Sequence, residues 1–189
     1  MEENVLNKEI QDHIDLANQI KQELPNKIKK ISEIIIHAID QKKKVILFGN
    51  GGSAADAQHI AAEFTGRFVR ERRGLPAIAI TTDTSALTAI GNDYGFDFVF
   101  SRQVEALANE GDVLIGISTS GNSVNVIKAL EVGKQLKCVT ISFTGKEGGE
   151  IAKSTDININ IKHSVTARIQ EMHILVGHLI CSLIDNKFI

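Results

Sequence analysis

Apolar positions along this chain follow two patterns. Over the first 43 residues they recur at helical spacing. Ile10, Ile14, Ala17 and Ile20 form one stripe, which Pro25 breaks. Ile28, Ile31, Ile35 and Ile39 form a second. Lys42, Lys43 and Lys44 then place positive charge where a helix C-terminus favours it, and predict a solvated helix end. From Val45 the pattern changes to short continuous apolar runs: Val45–Phe48, Ala77–Ile80, Val113–Ile117, Val139–Phe143 and Ile157–Ile161. Amphipathic stretches lie between them, from about Ala54 to Thr65, from Ser123 to about Leu136, briefly near Glu150, and from about Thr166 to Asn186.

Continuous apolar strands alternating with helices imply parallel strands covered on both faces. The expectation is an α/β fold: a three-layer αβα sandwich on a five-stranded parallel sheet, with right-handed crossovers. Residues 1–43 precede it as N-terminal helices, and 44–189 form the α/β core of a single domain spanning 1–189. The leading helices exceed what one sheet needs, which predicts a role in packing subunits together; the plainer alternative is that they cover the sheet. Ligands of such sheets bind beyond the carboxyl ends of the strands. Two polar loops fall there: Gly49-Asn50-Gly51-Gly52-Ser53 and Ser118-Thr119-Ser120-Gly121-Asn122-Ser123.

Composition narrows the class. A chain of 189 residues with 43% hydrophobic and 23% charged residues is an ordinary globular chain, which excludes disordered, collagen-like and disulfide-scaffold classes. The formal net charge of −2 argues against a dominant nucleic-acid surface. Apolar runs such as Ile34-Ile35-Ile36 fall far short of the roughly 20 residues of a membrane span. The polar start Met1-Glu2-Glu3-Asn4 does not read as a secretory signal. Cys138 and Cys181 read as buried free thiols in a reducing compartment.

Each loop has competing readings. Gly49–Ser53 with Ala54 fits G-x-G-x-x-A, but a dinucleotide site wants an acid about 20 residues on, and Asp83 stands some 30 residues away. No lysine follows the glycines, which excludes a P-loop. Glycines with free helix N–H groups suit an anion all the same. Ser118–Ser123 offers four hydroxyls in six residues, more than a helix cap requires. Hydroxyls and amides without lysine or arginine suit a phosphate monoester.

His59 and Glu63 are four residues apart and share a helix face. They could supply two zinc ligands, an acid and a base, or a surface salt bridge. The last helix carries Gln170, Glu171, His173 and His178, the last in the apolar stretch Ile174–Ile180. Gln170 and His178 are eight residues apart, about 12 Å along a helix axis, so both reach one metal only by leaning inward or from different subunits. Arg70, Arg72 and Arg73 read as a solvated loop or an intersubunit contact.

Four segments resemble the sugar isomerase (SIS) family and, within it, the phosphoheptose isomerases. They are Gly49–Ser53, Ala89–Gly95, Gly116–Ser123 and Arg168-Ile169-Gln170-Glu171-Met172-His173. The resemblance implies a Rossmann-like SIS fold. It also implies aldose–ketose isomerisation of sedoheptulose 7-phosphate to D-glycero-D-manno-heptose 7-phosphate through an enediol, supplying heptose for bacterial lipopolysaccharide or capsule. It aligns Glu63 and His178 with the catalytic pair, and His59, Glu63, Gln170 and His178 with a site for one zinc ion per subunit. Substrate contacts fall on Asn50, Gly51 and Gly52, on Glu63, on Asn92 and Asp93, on the hydroxyls of Ser118, Thr119, Ser120 and Ser123, and on Gln170. A cytoplasmic homotetramer with active sites at subunit interfaces is implied too. Some family members carry an acid where this chain has Ala167, so any helper role of that carboxylate is absent. Two alternatives stand beside this reading. One is a non-catalytic SIS protein that binds a replication initiator, although such proteins lack the acid and histidine kept here. The other is an SIS isomerase or sensor for a different sugar phosphate.

Overall fold

A computed structural model describes residues 2–188; Met1 and Ile189, the ends of the expected span, lie outside the described residues. Two helices open the chain, α1 (Glu2–Glu23) and α2 (Pro25–Asp40), divided where Pro25 takes the first helical position. The α2 stripe Ile28, Ile31, Ile35 and Ile39 is buried as its spacing predicts. The α1 stripe holds only in its second half: Ile20 is buried and Ala17 packs on the core, while Ile10 and Ile14 are 59% and 45% exposed and Leu16 buries in their place. The upper part of α1 is held by charge, with Arg168 Nη1 donating to Glu9 Oε2 at 2.6 Å and His13 Nδ1 2.8 Å from Glu171 Oε2.

The five expected strands are present: β1 (Val45–Gly49), β2 (Ala77–Ala79), β3 (Val113–Ser118), β4 (Val139–Gly145) and β5 (Ile157–Ile161). All pair in parallel, in the order β2-β1-β3-β4-β5. Every β1 residue is buried, because alternate side chains enter two cores. Val45 and Leu47 join the core under α1, α2, α3 (Gly52–Thr65) and α8 (Thr166–Asp185). Ile46 and Phe48 join the core on the opposite face, with α6 (Val124–Gln135) and α7 (Gly149–Ser154). Three layers result.

Helices α4 (Thr84–Asp93) and α5 (Ser101–Leu107), joined through a 3-10 turn at Phe96–Phe98, fall where the apolar pattern predicts no element. α4 buries none of its residues fully, so it lacks the core stripe that reveals a helix. Its start is set by Asp83, whose Oδ1 accepts from the Ala86 N–H at 2.9 Å. That bond occupies the carboxylate a dinucleotide reading would have needed.

The lysine run is only partly the solvated end it resembles. Lys44 Nζ lies 2.5 Å from Oδ2 of the buried Asp112, whose other oxygen accepts the Lys44 N–H at 3.0 Å. Cys138 and Cys181 are free and buried, and burial pushes their thiols up to about 11 and about 12. Among the described residues no helix is long and apolar enough to cross a membrane.

Candidate active site

The strand order reverses direction between β1 and β3, the topological switch point where open parallel sheets bind ligands. Both polar loops leave the sheet there, since Gly49 pairs with Ile117 at the ends of their strands. Between the loops lies a cavity of about 270 Å³ lined by Asn50–Ser53, Ile117–Thr119, Ser123, Thr166 and Gln170. No charged side chain lines it. Its positive character comes from helix ends: α3, α6 and α8 all begin at this cavity, and none has a side-chain cap. Their first N–H groups lack intrahelical acceptors, and each helix adds roughly half a positive charge. Gly51, at φ 56°, turns the chain from β1 into α3 in a conformation that favours glycine.

The hydroxyl loop is internally ordered. Ser118 Oγ lies 2.8 Å from Ser123 Oγ and 3.3 Å from Ser120 Oγ. Ser123 occupies the cap position of α6 but makes no capping bond, so its hydroxyl stays available to a ligand. Gly121, at φ 69°, packs against the Gly148 backbone, and its carbonyl accepts the Ile151 N–H at 3.0 Å. Asn50 and Asn125 tie the two loops together through reciprocal amide bonds of 2.9 Å.

Helices α3 and α8 run side by side from this cavity. A Cβ on Gly52 would collide with the Gln170 amide, and one on Gly177 would stand 2.6 Å from Ile60 Cδ1. Eight residues separate the two contacts on α3, and seven on α8, so the helices advance about 12 and about 10.5 Å between them. At the far contact His59, Glu63 and His178 converge, with one ligand atom from each lying within 4.8 Å of the others. His59 Nε2 is 3.2 Å from Glu63 Oε1. Among the described residues His178 Nε2 is buried without a hydrogen-bond partner. Burial holds the His178 imidazole below the usual histidine range, the His59 charge lowers it further, and Glu63 acts against both. The arrangement offers a carboxylate, a neutral imidazole and a second imidazole. This donor set suits a divalent transition metal, and the unpartnered nitrogen is what a ligand position looks like without its ion.

The SIS domain family model matches residues 10–145. The phosphoheptose isomerase of Aliarcobacter butzleri is 57% identical over 180 residues, covering 95% of each chain. Phosphoheptose isomerase 1 of Campylobacter jejuni is 53% identical over 185 residues, 98% of this chain and 99% of that protein. The chain belongs to the SIS domain family, among the phosphoheptose isomerases. The solved phosphoheptose isomerase of Neisseria gonorrhoeae has the same fold, with a TM-score of 0.93 at 46% identity, covering 98% of this chain and all of that one.

Against that family pattern, Asn50, Gly51, Gly52, Ser118, Thr119, Ser123 and Gln170 gather at the cavity, and His59, Glu63 and His178 at the cluster. The Gln170 amide lies against Gly52, at the cavity end of α8. Ser120 stands one layer back, accepting the Asn122 N–H at 3.1 Å. Asn92 and Asp93 lie at the exposed end of α4, bonded to each other at 2.8 Å and not among the cavity-lining residues. The arginine cluster is corrected at Arg72, whose side chain is 1% exposed and paired with Asp185 at 2.6 Å.

Two neighbours of the cluster escaped the sequence reading. Asp56 lies three residues before His59 and seven before Glu63, on the same face of α3, a spacing that could have flagged it. One of its carboxylate oxygens is buried without a partner among the described residues, and burial raises the group to about 6 against the opposing His59 charge. Phe68 stacks on His178, and nothing in the linear pattern announces that contact.

Proposed function

We propose that this chain is a sedoheptulose 7-phosphate isomerase, forming D-glycero-D-manno-heptose 7-phosphate. The observation that carries the reading is the pairing of an uncharged, amide-rich cavity with a carboxylate–imidazole cluster about two helical turns away. An extended seven-carbon chain of bonds near 1.5 Å, ending in a phosphate, is about 10 Å long. The cavity then takes the phosphate on the α3, α6 and α8 N-termini and the Ser118, Thr119 and Ser123 hydroxyls. The carbonyl end reaches the cluster.

Glu63 removes the proton from C1, the carbon beside the C2 carbonyl. The electron pair forms the C1–C2 double bond of an enediol, and the C2 oxygen gains a proton. The proton returns to C2 as the C1 oxygen loses its own and becomes the aldehyde. His178, neutral near pH 7, moves the protons between the two oxygens. Gln170 donates to the sugar from the cavity end. His59, Glu63 and His178 would hold one zinc ion per subunit, while Gln170 stays at the cavity end. Such an ion supplies Lewis-acid polarisation of the carbonyl oxygen.

Residues 1–43 pack subunits of a cytoplasmic homotetramer in this reading, and the chain is one SIS domain throughout. The exposed Val5, Leu6, Ile10 and Ile14 on α1 support that packing. Active sites at subunit interfaces would give Asn92 and Asp93 a substrate to contact in a neighbour's cavity. The product would feed heptose into lipopolysaccharide or capsule.

An NMR time course with sedoheptulose 7-phosphate in D₂O tests the reaction. A new heptose 7-phosphate carrying deuterium at C2, and lost in Glu63→Gln, is the expected result. No turnover with zinc supplied and the oligomer intact would overturn it. Equal turnover by Glu63→Gln would remove Glu63 as the base.

A further inference from the structure

The loop after α3 delivers an aromatic ring to the face of His178. The Phe68 and His178 ring centroids are 5.3 Å apart, with planes 26° from parallel. His59 meets the same imidazole edge-on, at 4.9 Å and 80°. The imidazole is therefore bracketed by two rings. No hydrogen bond reaches either of its nitrogens among the described residues, and Nε2 is buried without a partner. An imidazole that ligates or moves protons is ordinarily oriented by a hydrogen bond on its second nitrogen. Aromatic contacts, Phe68 on its face and His59 on its edge, bear directly on the ring plane.

Phe68 is itself held in place. It is half-buried against the core, while the flanking Val69 and Arg70 are exposed. Their backbone N–H groups donate to Asp185 Oδ2 at 2.8 and 3.0 Å. Asp185 lies on α8, the helix that carries His178, two turns further along. The ring and the imidazole it covers are thus tied to the same helix.

We propose that Phe68 is a positioning residue, its ring fixing the plane of His178 and keeping water off that face in place of the hydrogen bond that usually orients such an imidazole. The proposal rests on His178 working in the isomerase site. Replacing Phe68 by leucine keeps apolar volume and removes the flat face. Replacing it by tyrosine keeps the face.

Two readouts on the full chain as purified decide it. The first is the ¹H shift of the His178 ring protons, assigned by their loss in His178→Gln. A stacked phenyl ring shifts them upfield. Phe68→Leu should abolish that shift and Phe68→Tyr should keep it. The second is steady-state kinetics with sedoheptulose 7-phosphate. Phe68→Leu should lose about tenfold to a hundredfold in kcat, the usual cost of losing an orienting partner. KM should stay within about twofold, and Phe68→Tyr should restore kcat.

His178 protons as far upfield in Phe68→Leu as in the wild type would overturn the proposal. So would wild-type kcat in that variant, or a tyrosine variant as impaired as the leucine one. Should the wild-type protein not turn over this sugar at all, the functional reading fails separately. The shift comparison still reports whether Phe68 sets the ring.

Discussion

Two polar clusters bridge the same pair of helices, α3 and α8, and their polar atoms meet opposite fates. At one, a clamp formed by Arg72 and Asp185, Arg72 Nε donates to Asp185 Oδ1 at 2.6 Å, while its terminal nitrogens donate to the Glu63, Phe64 and Arg73 carbonyls at 2.8 to 3.0 Å. Those bonds close the end of α3, where carbonyls lack intrahelical donors. Burial alone would raise the Asp185 carboxyl. The Arg70 and Val69 N–H groups, together with Arg72, outweigh it and hold the group below the usual range. At the open cluster, His59, Glu63 and His178 share one contact of 3.2 Å, and a buried nitrogen has no partner. Glu63 belongs to both, its carbonyl to the clamp and its carboxylate to the cluster. Complete satisfaction marks a group that holds the fold. A buried group left unsatisfied points to something outside the chain.

The largest effect expected from that contrast is on turnover. Glu63→Gln should lose about 10²- to 10⁴-fold in kcat, the usual contribution of a general base. Its thermal midpoint should move by no more than a few degrees, since the clamp uses only the Glu63 backbone. A midpoint that falls with activity would erase the distinction between the clusters. Arg72→Ala should do the reverse. It strands Asp185 as a buried unpaired charge, at a cost of about 3–5 kcal/mol measured by urea unfolding. Adding Asp185→Leu to Arg72→Met should recover part of the loss, but not all of it. The Val69 and Arg70 N–H groups would still lack their acceptor.

His173, on the same helix, sits between the two cases. Its Nε2 lies 2.9 Å from the Thr144 carbonyl, while Nδ1 is buried without a partner among the described residues. Burial pushes the imidazole down to about 4 from 6.5, against the Thr144 bond, so it stays neutral in the folded protein. The unfolded chain takes up this proton near pH 6.5, and the folded chain resists until about 4. The resulting stability is fully present above pH 6.5 and is lost as the pH falls toward 4. A shift of that size corresponds to roughly 3 kcal/mol. His173→Gln keeps a donor for Thr144 and should flatten the dependence of unfolding free energy on pH between 6.5 and 4.5. An unchanged slope would mean that His173 is not the group responsible.

What could be read from the linear chain follows from how local each signal is. All five strands are legible because each is a short apolar run bounded by turns, and His59–Glu63 is legible because both lie on one helix. α4 is not, since it presents no buried stripe, and the exposure of Ile10 and Ile14 depends on what covers α1. The parallel run of α3 and α8 sets Gln170 at the cavity end and His178 at the cluster, about two turns apart. Phe68 and Arg72 are legible in neither period nor motif. Their roles exist only once a loop has folded back across two helices.

The smallest expected effect tests what sets the distance between those helices. Gly177 lies inside α8, where alanine would ordinarily gain about 1 kcal/mol from helix propensity. Its Cβ would stand 2.6 and 2.7 Å from Cδ1 and Cγ1 of Ile60, which is 1% exposed and has little room to move. Overpacking of this kind costs about 1–3 kcal/mol, so Gly177→Ala should destabilise by at most about 2 kcal/mol net. The clamp lies further along α8 and should stay closed. His178 is the next residue, and a small displacement there should lower kcat by more than the stability change suggests. Adding Ile60→Ala removes both colliding atoms and should return most of the turnover. If it does not, the close approach at Gly177 is not what holds His178 against His59 and Glu63.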